Sequence, residues 1–376
     1  MNVVDLLQQL VRIPSVNPED TPGTVHVGEQ VLAEFLVPLL EGIGYSVRLE
    51  DVREGRPNLI ARAPGSENRP RILLGPHLDT VGVAGMTIEP FSGDISNGRI
   101  LGRGASDTKG PMAAMIVALA QMKEQLATLP VAVDFVAFMG EESSQWGSKH
   151  FGKNYGRDYV FALVGEPTSC DIVFANKGSL WAKLVATGKA AHSSKPHLGD
   201  NAVLKLARSL DYLNRKLTNR LATYDHPVLG HATFNVGTLN GGTRPNIVPD
   251  YAESLIDIRT TPPLDSAGGA LPLLKEVIDQ AKLPVSVESP AESPSMETDL
   301  QNPYVQQLQK SSAGTQLVGA PWFSDAALLS DAGIASVCAG PGSIDQAHTA
   351  DEFIEISDLE SGVEFYSAFL RSFADG

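Results

Sequence analysis

Cysteine is scarce: the 376 residues hold two, Cys170 and Cys338. They are far apart in the chain and form no C-x-x-C motif, which excludes a disulfide framework and a thiolate zinc site. A reducing cytoplasm suits such a chain. Basic residues are also short, 29 Lys and Arg against 44 Asp and Glu, for a net charge of -15. That balance argues against nucleic acid as a partner, because affinity for it comes largely from cations that neutralise phosphates. Small-molecule substrates are expected instead. No hydrophobic run is long enough to span a bilayer, so no membrane partner is expected. The first residues, Met1-Asn2-Val3-Val4-Asp5, put an acid where a secretory signal carries Lys or Arg, so no targeting signal is expected. Internal repeats and low-complexity segments are absent as well.

The length suits two domains better than one, with enough chain to bury roughly 75% of its unfolded surface. In the first part strand and helix signals alternate: helical spacing over 25–40, an apolar run over 71–74, a helix over 111–126, and apolar strands over 131–139 and 159–165. Strands buried on both faces and separated by helices predict an α/β domain, a mostly parallel sheet flanked by helices. From Gly178 the pattern changes to a strand at 180–187, a helix at 201–221, strands at 232–239 and 251–259, a helix at 271–281 and a strand at 284–287. This βαββαβ order predicts a ferredoxin-like module. A Pro- and Ser-rich stretch over 289–295 reads as a linker back to α/β sequence, with a buried strand at 334–339. The expected layout is a discontinuous catalytic, metal-binding domain, 1–176 and 289–376, interrupted by an inserted domain at 177–288.

Acidic or histidine-bearing segments end apolar runs or open helices at His77-Leu78-Asp79, Asp107, Glu141-Glu142, Glu166 and His348. Open α/β sheets collect ligands at the carboxyl ends of their strands, so these oxygen and imidazole donors are expected to meet in one cleft, the layout of a two-metal hydrolase. His77 and Asp79 are one residue apart and share a face in an extended chain. Either one binds a metal while the other orients it, a part that suits Asp79 as the carboxylate accepting the second ring N-H of a metal-bound imidazole, or the two form a hydrogen-bonded core pair. Asp107 precedes a helix with Pro111 in its first turn, where a carboxylate faces the positive end of the dipole; a plain N-cap is the other reading. The glycine-rich stretch around it is not a P-loop, which needs a closing Gly-Lys-Ser/Thr, and it lacks the dinucleotide spacing. At Glu141-Glu142, adjacent buried carboxylates repel unless a cation lies between them or one is protonated; the alternative is a solvated turn. Glu166 ends its strand in the same way before Pro167, and His348 follows the turn Gly340-Pro341-Gly342. Of eight histidines, His77, His192 and His348 have settings of this kind, while His26, His150, His197, His226 and His231 are expected at the surface or in packing.

Five segments together carry a family resemblance: Gly75-Pro76-His77-Leu78-Asp79-Thr80-Val81, Gly102-Arg103-Gly104 through Asp107-Thr108-Lys109-Gly110, Gly140-Glu141-Glu142, Gly165-Glu166-Pro167-Thr168 and Ala347-His348-Thr349-Ala350-Asp351-Glu352. In order and spacing they resemble the co-catalytic zinc metallopeptidase and deacylase family of acetylornithine deacetylase, succinyl-diaminopimelate desuccinylase, aminoacylases and glutamate carboxypeptidases. The likeness runs from Ile13-Pro14-Ser15-Val16 to the final helix. It implies that Asp107 bridges two metal ions, that His77 and Glu166 complete one site and Glu142 and His348 the other, and that Glu141 is the general base. It also implies a cis peptide between Asp107 and Thr108. Two Zn²⁺ per subunit are expected, and Co²⁺ or Mn²⁺ also suits a donor set of nitrogen and oxygen without sulfur. Pro76 stands where the family usually has Gly, and Gly82 where Pro is common, which touches backbone shape beside the site.

In the inserted domain, Thr187-Gly188-Lys189-Ala190-Ala191-His192-Ser193-Ser194-Lys195-Pro196 resembles the family's lid motif. That likeness implies a histidine, His192, which stabilises the tetrahedral oxyanion in a partner subunit's active site, and hence a homodimer through the lid domain. Phe234-Asn235 and Gly241-Gly242-Thr243-Arg244-Pro245-Asn246-Ile247-Val248-Pro249 resemble substrate-holding segments. Asn235 is a candidate contact there, and Arg244 is either a fork for a substrate carboxylate or a surface turn arginine. The expectation is a cytoplasmic, dimeric, two-zinc amidohydrolase. It cleaves an N-acyl amino acid by attack of a metal-bridging water, with a carboxypeptidase or dipeptidase acting on a dipeptide as the alternative. A metal-dependent binding protein without turnover is disfavoured by Glu141, since binding alone needs no base beside the metal.

Overall fold

The structure, a computed structural model, describes residues 1–19, 28–65, 68–312 and 314–374. The chain divides into two compact units, one of Met1–Phe174, Thr298–Val318 and Ser324–Gly376, the other of Ala175–Glu297 and Gly319–Phe323.

At the centre of the first unit the strands Ala132–Ala137, Arg71–Gly75, Tyr159–Val164 and Ala335–Cys338 lie side by side, all parallel. Every residue of Ala132–Ala137 is buried, as a strand covered on both faces requires. Antiparallel strands bound this core: Arg56–Arg62 and then Ser46–Arg53 on one side, Ile172–Asn176 on the other. The sheet is therefore mixed, and its parallel character is confined to the centre. No apolar run marks the Ser46–Arg53 strand in the sequence, because it is charged at positions 48, 50, 51 and 53 and largely solvent-facing. Its hairpin is closed by Glu54-Gly55, with Gly55 at φ +65°, a backbone that glycine adopts freely.

Helices cover the sheet. Lys109–Gln121 is buried on all sides from Lys109 to Leu119, which its all-round apolar sequence permits. Val3–Val11 buries Val3, Leu6, Leu7, Leu10 and Val11, and the Asn2 side chain accepts from the amides of Val4 and Asp5 at its start. Gln30–Ile43 ends on Gly44 at φ +113°. Residues 25–27 of the helix expected over 25–40, and His26 with them, lie outside the described residues.

The second unit is an antiparallel sheet in the order Thr233–Val236, Tyr251–Thr260, Gly178–Thr187, Ser286–Ser293, with the helices Ala202–Leu221 and Ala270–Ala281 in the connections. This is the ferredoxin-like βαββαβ module. Asn201 caps the first helix by accepting from the Leu204 amide, and Leu206, Leu210, Leu213, Leu217 and Leu221 are buried along it. The stretch 289–295 is not the linker its composition suggested. Most of it continues the edge strand Ser286–Ser293, and Ser289 and Pro290 fall where the register shifts between Glu288 and Ala291. A bulge on an edge strand is where a sheet accepts proline, so the proline marks an irregular strand here and not its end.

Among the described residues no helix is long and apolar enough to cross a membrane. Both cysteines are free.

Candidate metal centre

Each of the four parallel strands hands a polar side chain to the cleft beyond its carboxyl end. Arg71–Gly75 leads to His77 and Asp79, Ala132–Ala137 to Glu141 and Glu142, Tyr159–Val164 to Glu166, and Ala335–Cys338 to the loop bearing His348. Asp107 reaches the same place from the turn before Lys109–Gln121. It does not cap that helix: Thr108 holds the N-cap position and no side chain caps there. The peptide between Asp107 and Thr108 is cis. In the turn before it, Gly104 has φ +84°, and a Cβ there would lie 2.9 Å from Thr80 Cγ2, so the loop can fold this closely only with glycine.

The carboxylate of Asp107 faces two imidazoles. Its Oδ1 is 3.0 Å from His77 Nε2 and its Oδ2 is 3.4 Å from His348 Nε2. His348 Nε2 also lies 3.0 Å from Glu142 Oε2. Two donor groups result, His77 with Asp107 and Glu166, and Asp107 with Glu142 and His348, and the ligand atoms within each lie within 4.8 Å of one another. Asp107 belongs to both. Glu141 belongs to neither, although it is buried beside Glu142.

Charge in this cleft is unbalanced. Burial, with Glu166, Asp325 and Glu142 nearby, holds the Glu141 carboxyl far above the usual carboxylate range. Burial and the neighbouring Asp107 push Glu142 up to about 7. Glu166 is likewise held high, by burial first, and its Oε1 is buried with no hydrogen-bond partner. Asp107 goes the other way, because hydrogen bonds from His348 and His77 outweigh its burial. His348 is raised to about 10 by its bonds to Asp107 and Glu142. Without cations, carboxyl groups here must hold protons to coexist.

Asp79 serves main-chain amides beside the imidazole. Its Oδ1 accepts from the Glu141 amide at 3.0 Å, and its Oδ2 from the Glu142 amide at 3.1 Å and from Asn17 Nδ2 at 2.8 Å. The second ring nitrogen of His77 lies 2.9 Å from the Asp79 backbone carbonyl and 3.6 Å from Oδ1. The carboxylate is engaged in shaping the Glu141-Glu142 turn, so the main chain is the nearer partner of the imidazole.

Other buried charges belong to this region without having stood out in the sequence. Asp325 accepts from Ser148 Oγ at 2.5 Å, its Oδ2 is buried without a partner, and burial raises it to about 7. In sequence, Ser324-Asp325 reads as an ordinary helix start. Glu352 and Arg103 form a fully buried pair at 2.6 Å. The signal for Glu352 was its place four residues after His348, inside a motif already quoted.

The lid and substrate candidates lie in the second unit. His192, in the short strand Ala191–His192 paired with Ile247–Val248, is exposed. Its Nδ1 lies 3.2 Å from the Ser194 amide, which donates to it, and 2.8 Å from Ser194 Oγ. That amide makes Nδ1 an acceptor and Nε2 the proton-bearing nitrogen of the neutral ring. Asn235 is exposed on Thr233–Val236, opposite Asp257, and Arg244 is exposed in a loop.

Imidazole and carboxylate donors gathered at the carboxyl ends of the parallel strands of a mixed sheet are the arrangement of a metal-dependent hydrolase. The chain belongs to the peptidase family M20/M25/M40, whose pattern it matches over residues 73–372. It is 31% identical to an acetylornithine deacetylase of Proteus mirabilis (strain HI4320), across 98% of this chain and 96% of that one. It is 26% identical to a probable succinyl-diaminopimelate desuccinylase of Staphylococcus epidermidis (strain ATCC 12228 / FDA PCI 1200), across 99% and 98%. In fold it is similar to an M20 family metallo-carboxypeptidase, Sso-CP2, from Sulfolobus solfataricus, with a TM-score of 0.81 at 22% identity and full coverage of both chains. The chain is an enzyme that hydrolyses amide bonds.

Proposed function

We propose that the protein releases the acyl group from an N-acylated amino acid, using two Zn²⁺ held by His77, Asp107 and Glu166 and by Asp107, Glu142 and His348. The observation that carries this is Asp107, whose two oxygens face one imidazole each and join both donor groups. The residues fit the ions: the unpartnered, buried Glu166 Oε1 lacks only a cation, and the donors are nitrogen and oxygen throughout. When bound, such a pair supplies Lewis acidity that favours water ionisation and polarises a carbonyl.

Glu141 does the proton work. It lies next to the donors without joining them, in a setting that favours its protonated form, so it can accept a proton from the attacking water and pass it to the leaving nitrogen. Asp79 fixes the turn from which Glu141 projects. Arg244 and Asn235 hold the substrate, the guanidinium as partner of its carboxylate. The deacylase reading is supported by the relatives with the highest identity quoted, both named as enzymes that remove acyl groups. A panel of N-acetyl and N-succinyl amino acids beside dipeptides tests it. Cleavage of the acyl compounds at least tenfold faster is expected, and a preference for dipeptides would make the protein a peptidase.

The second unit makes the dimer in this proposal. Its strand Thr233–Val236 is a sheet edge next to exposed Leu239 and Leu255, a surface that pairing with a second copy would cover. His192, with its proton on Nε2, then serves the oxyanion of the partner subunit's centre. If so, isolated mixed dimers of Glu141→Ala and His192→Ala chains, each inactive alone, regain activity because one centre has both groups intact. Activity that stays at the level of the single variants in a folded, metal-loaded heterodimer would place the action of His192 within its own chain.

Metal uptake should expel protons. In metal-free protein at neutral pH His348, raised to about 10, carries its proton, and Glu142, raised to about 7, is near its midpoint. A bound cation requires both deprotonated, so affinity for Zn²⁺ is expected to rise with pH from below 7 toward 10, with more than one proton released near pH 7. Calorimetry in buffers of different ionisation enthalpy counts them. Uptake with no proton release would contradict this picture.

A further inference from the structure

Two segments that each carry a donor of the Asp107, Glu142 and His348 group are fastened to each other by a reciprocal clasp. The antiparallel pairing of Phe353–Glu355 with Arg99–Leu101 brings them together, and the clasp begins at its end, where the Gly102 amide donates to the Glu352 carbonyl at 3.0 Å. From one side, the Glu352 carboxylate accepts from the amides of Gly104 at 3.1 Å, Ser106 at 3.0 Å and Asp107 itself at 3.1 Å. From the other side, Arg103 donates to Glu352 Oε2 at 2.6 Å and, through Nη2, to the carbonyl of Thr349 at 3.2 Å. Thr349 is the residue after His348, whose own backbone stands at φ +63°. Both charged side chains are buried, at 0% and 3% exposure.

A carboxylate that collects three amides from one four-residue stretch of loop holds that stretch by charge-assisted bonds, and here the last of those amides belongs to Asp107. The guanidinium works from the opposite side, holding the segment of His348 through Nη2, while its Nε donates to the Gly82 carbonyl at 3.2 Å. We infer that Glu352 and Arg103 are positioning residues that set the separation of Asp107 from His348, and so tune the Zn²⁺ affinity of the Asp107, Glu142 and His348 site more than that of the other. The inference rests on the two-metal reading. His77 and Glu166 hang from the strands Arg71–Gly75 and Tyr159–Val164, which the clasp does not touch. Their site loses only the placement of Asp107 when the clasp opens, whereas the second site loses the placement of two donors.

The sites are separable by background. In Glu166→Ala protein the Asp107, Glu142 and His348 site is read alone, and in Glu142→Ala protein the His77, Asp107 and Glu166 site. Zn²⁺ affinity is measured in each by competition with a chromophoric chelator, with and without Glu352→Gln, which keeps the size and shape and removes the charge. Loss of a group that orients metal ligands commonly costs about 10- to 100-fold in affinity. A loss of that size is expected in the Glu166→Ala background, with a smaller one in the Glu142→Ala background. Arg103→Lys, which keeps the cation and loses the fork, reads the same clasp from its other side and decides the matter should Glu352→Gln fail to fold. A clasp with only a structural part would lower the melting temperature and leave both affinities unchanged, and that result, or equal losses at both sites, overturns the inference. Wild-type protein that saturates with a single ion overturns the two-metal reading, and the clasp's role with it.

Discussion

Asp107→Ala is expected to empty both metal sites together and to bring amide hydrolysis down to background, the largest effect of any single substitution considered. The reason is geometric: one oxygen of Asp107 is 3.0 Å from His77 Nε2 and the other 3.4 Å from His348 Nε2, so its removal takes a donor from each group at once. Replacing a residue of one group alone, Glu166 or His348, is expected to leave the opposite site able to take up its ion. Elemental analysis after dialysis against dilute Zn²⁺ distinguishes these cases. Retention of one ion per chain by Asp107→Ala would mean that it serves a single site.

Glu141→Ala should separate chemistry from binding. The residue is buried beside the donors but part of neither group, so the variant should keep both ions while turnover falls on the order of 10²- to 10⁴-fold, the usual loss for a general base. The neighbouring Glu142→Ala should instead lose an ion. The wild-type Glu141 carboxyl sits in a cleft where burial and other acids favour its protonated form. Bound cations work against that, so the acidic limb of the activity profile should move to lower pH as the sites fill. Equal metal loss from the two variants would remove the distinction between base and ligand on which the mechanism depends.

Most of the polar groups gathered in the cleft stand out in the sequence because they end an apolar run at a strand end: Glu141 and Glu142 after a strand with every residue buried, Glu166 between Gly165 and Pro167, while Asp107 opens a helix. The ferredoxin-like module was legible for the same reason, from the spacing of Leu206, Leu210, Leu213 and Leu217 along one helix face. What escaped had no such contrast. Ser46–Arg53 is a solvent-facing strand, and four charged residues among its eight read as a loop. Pro290 reads as a break, although an edge-strand bulge accommodates it. The Glu352 carboxylate satisfies amides at Gly104, Ser106 and Asp107, about 250 positions away, and bonds to main-chain groups leave no trace in residue types. Asp79 shows the same limit, since the spacing to His77 is visible while its bonds to the amides of Glu141 and Glu142 are not.

Titration of metal-free protein with Zn²⁺, following bound metal and hydrolysis of an N-acyl amino acid in the same samples, bears most directly on a shared Asp107. Two ions per chain are expected at saturation, with full activity reached only as the second site fills. Full activity at one ion per chain, with no second ion bound, would contradict a centre built on two metals.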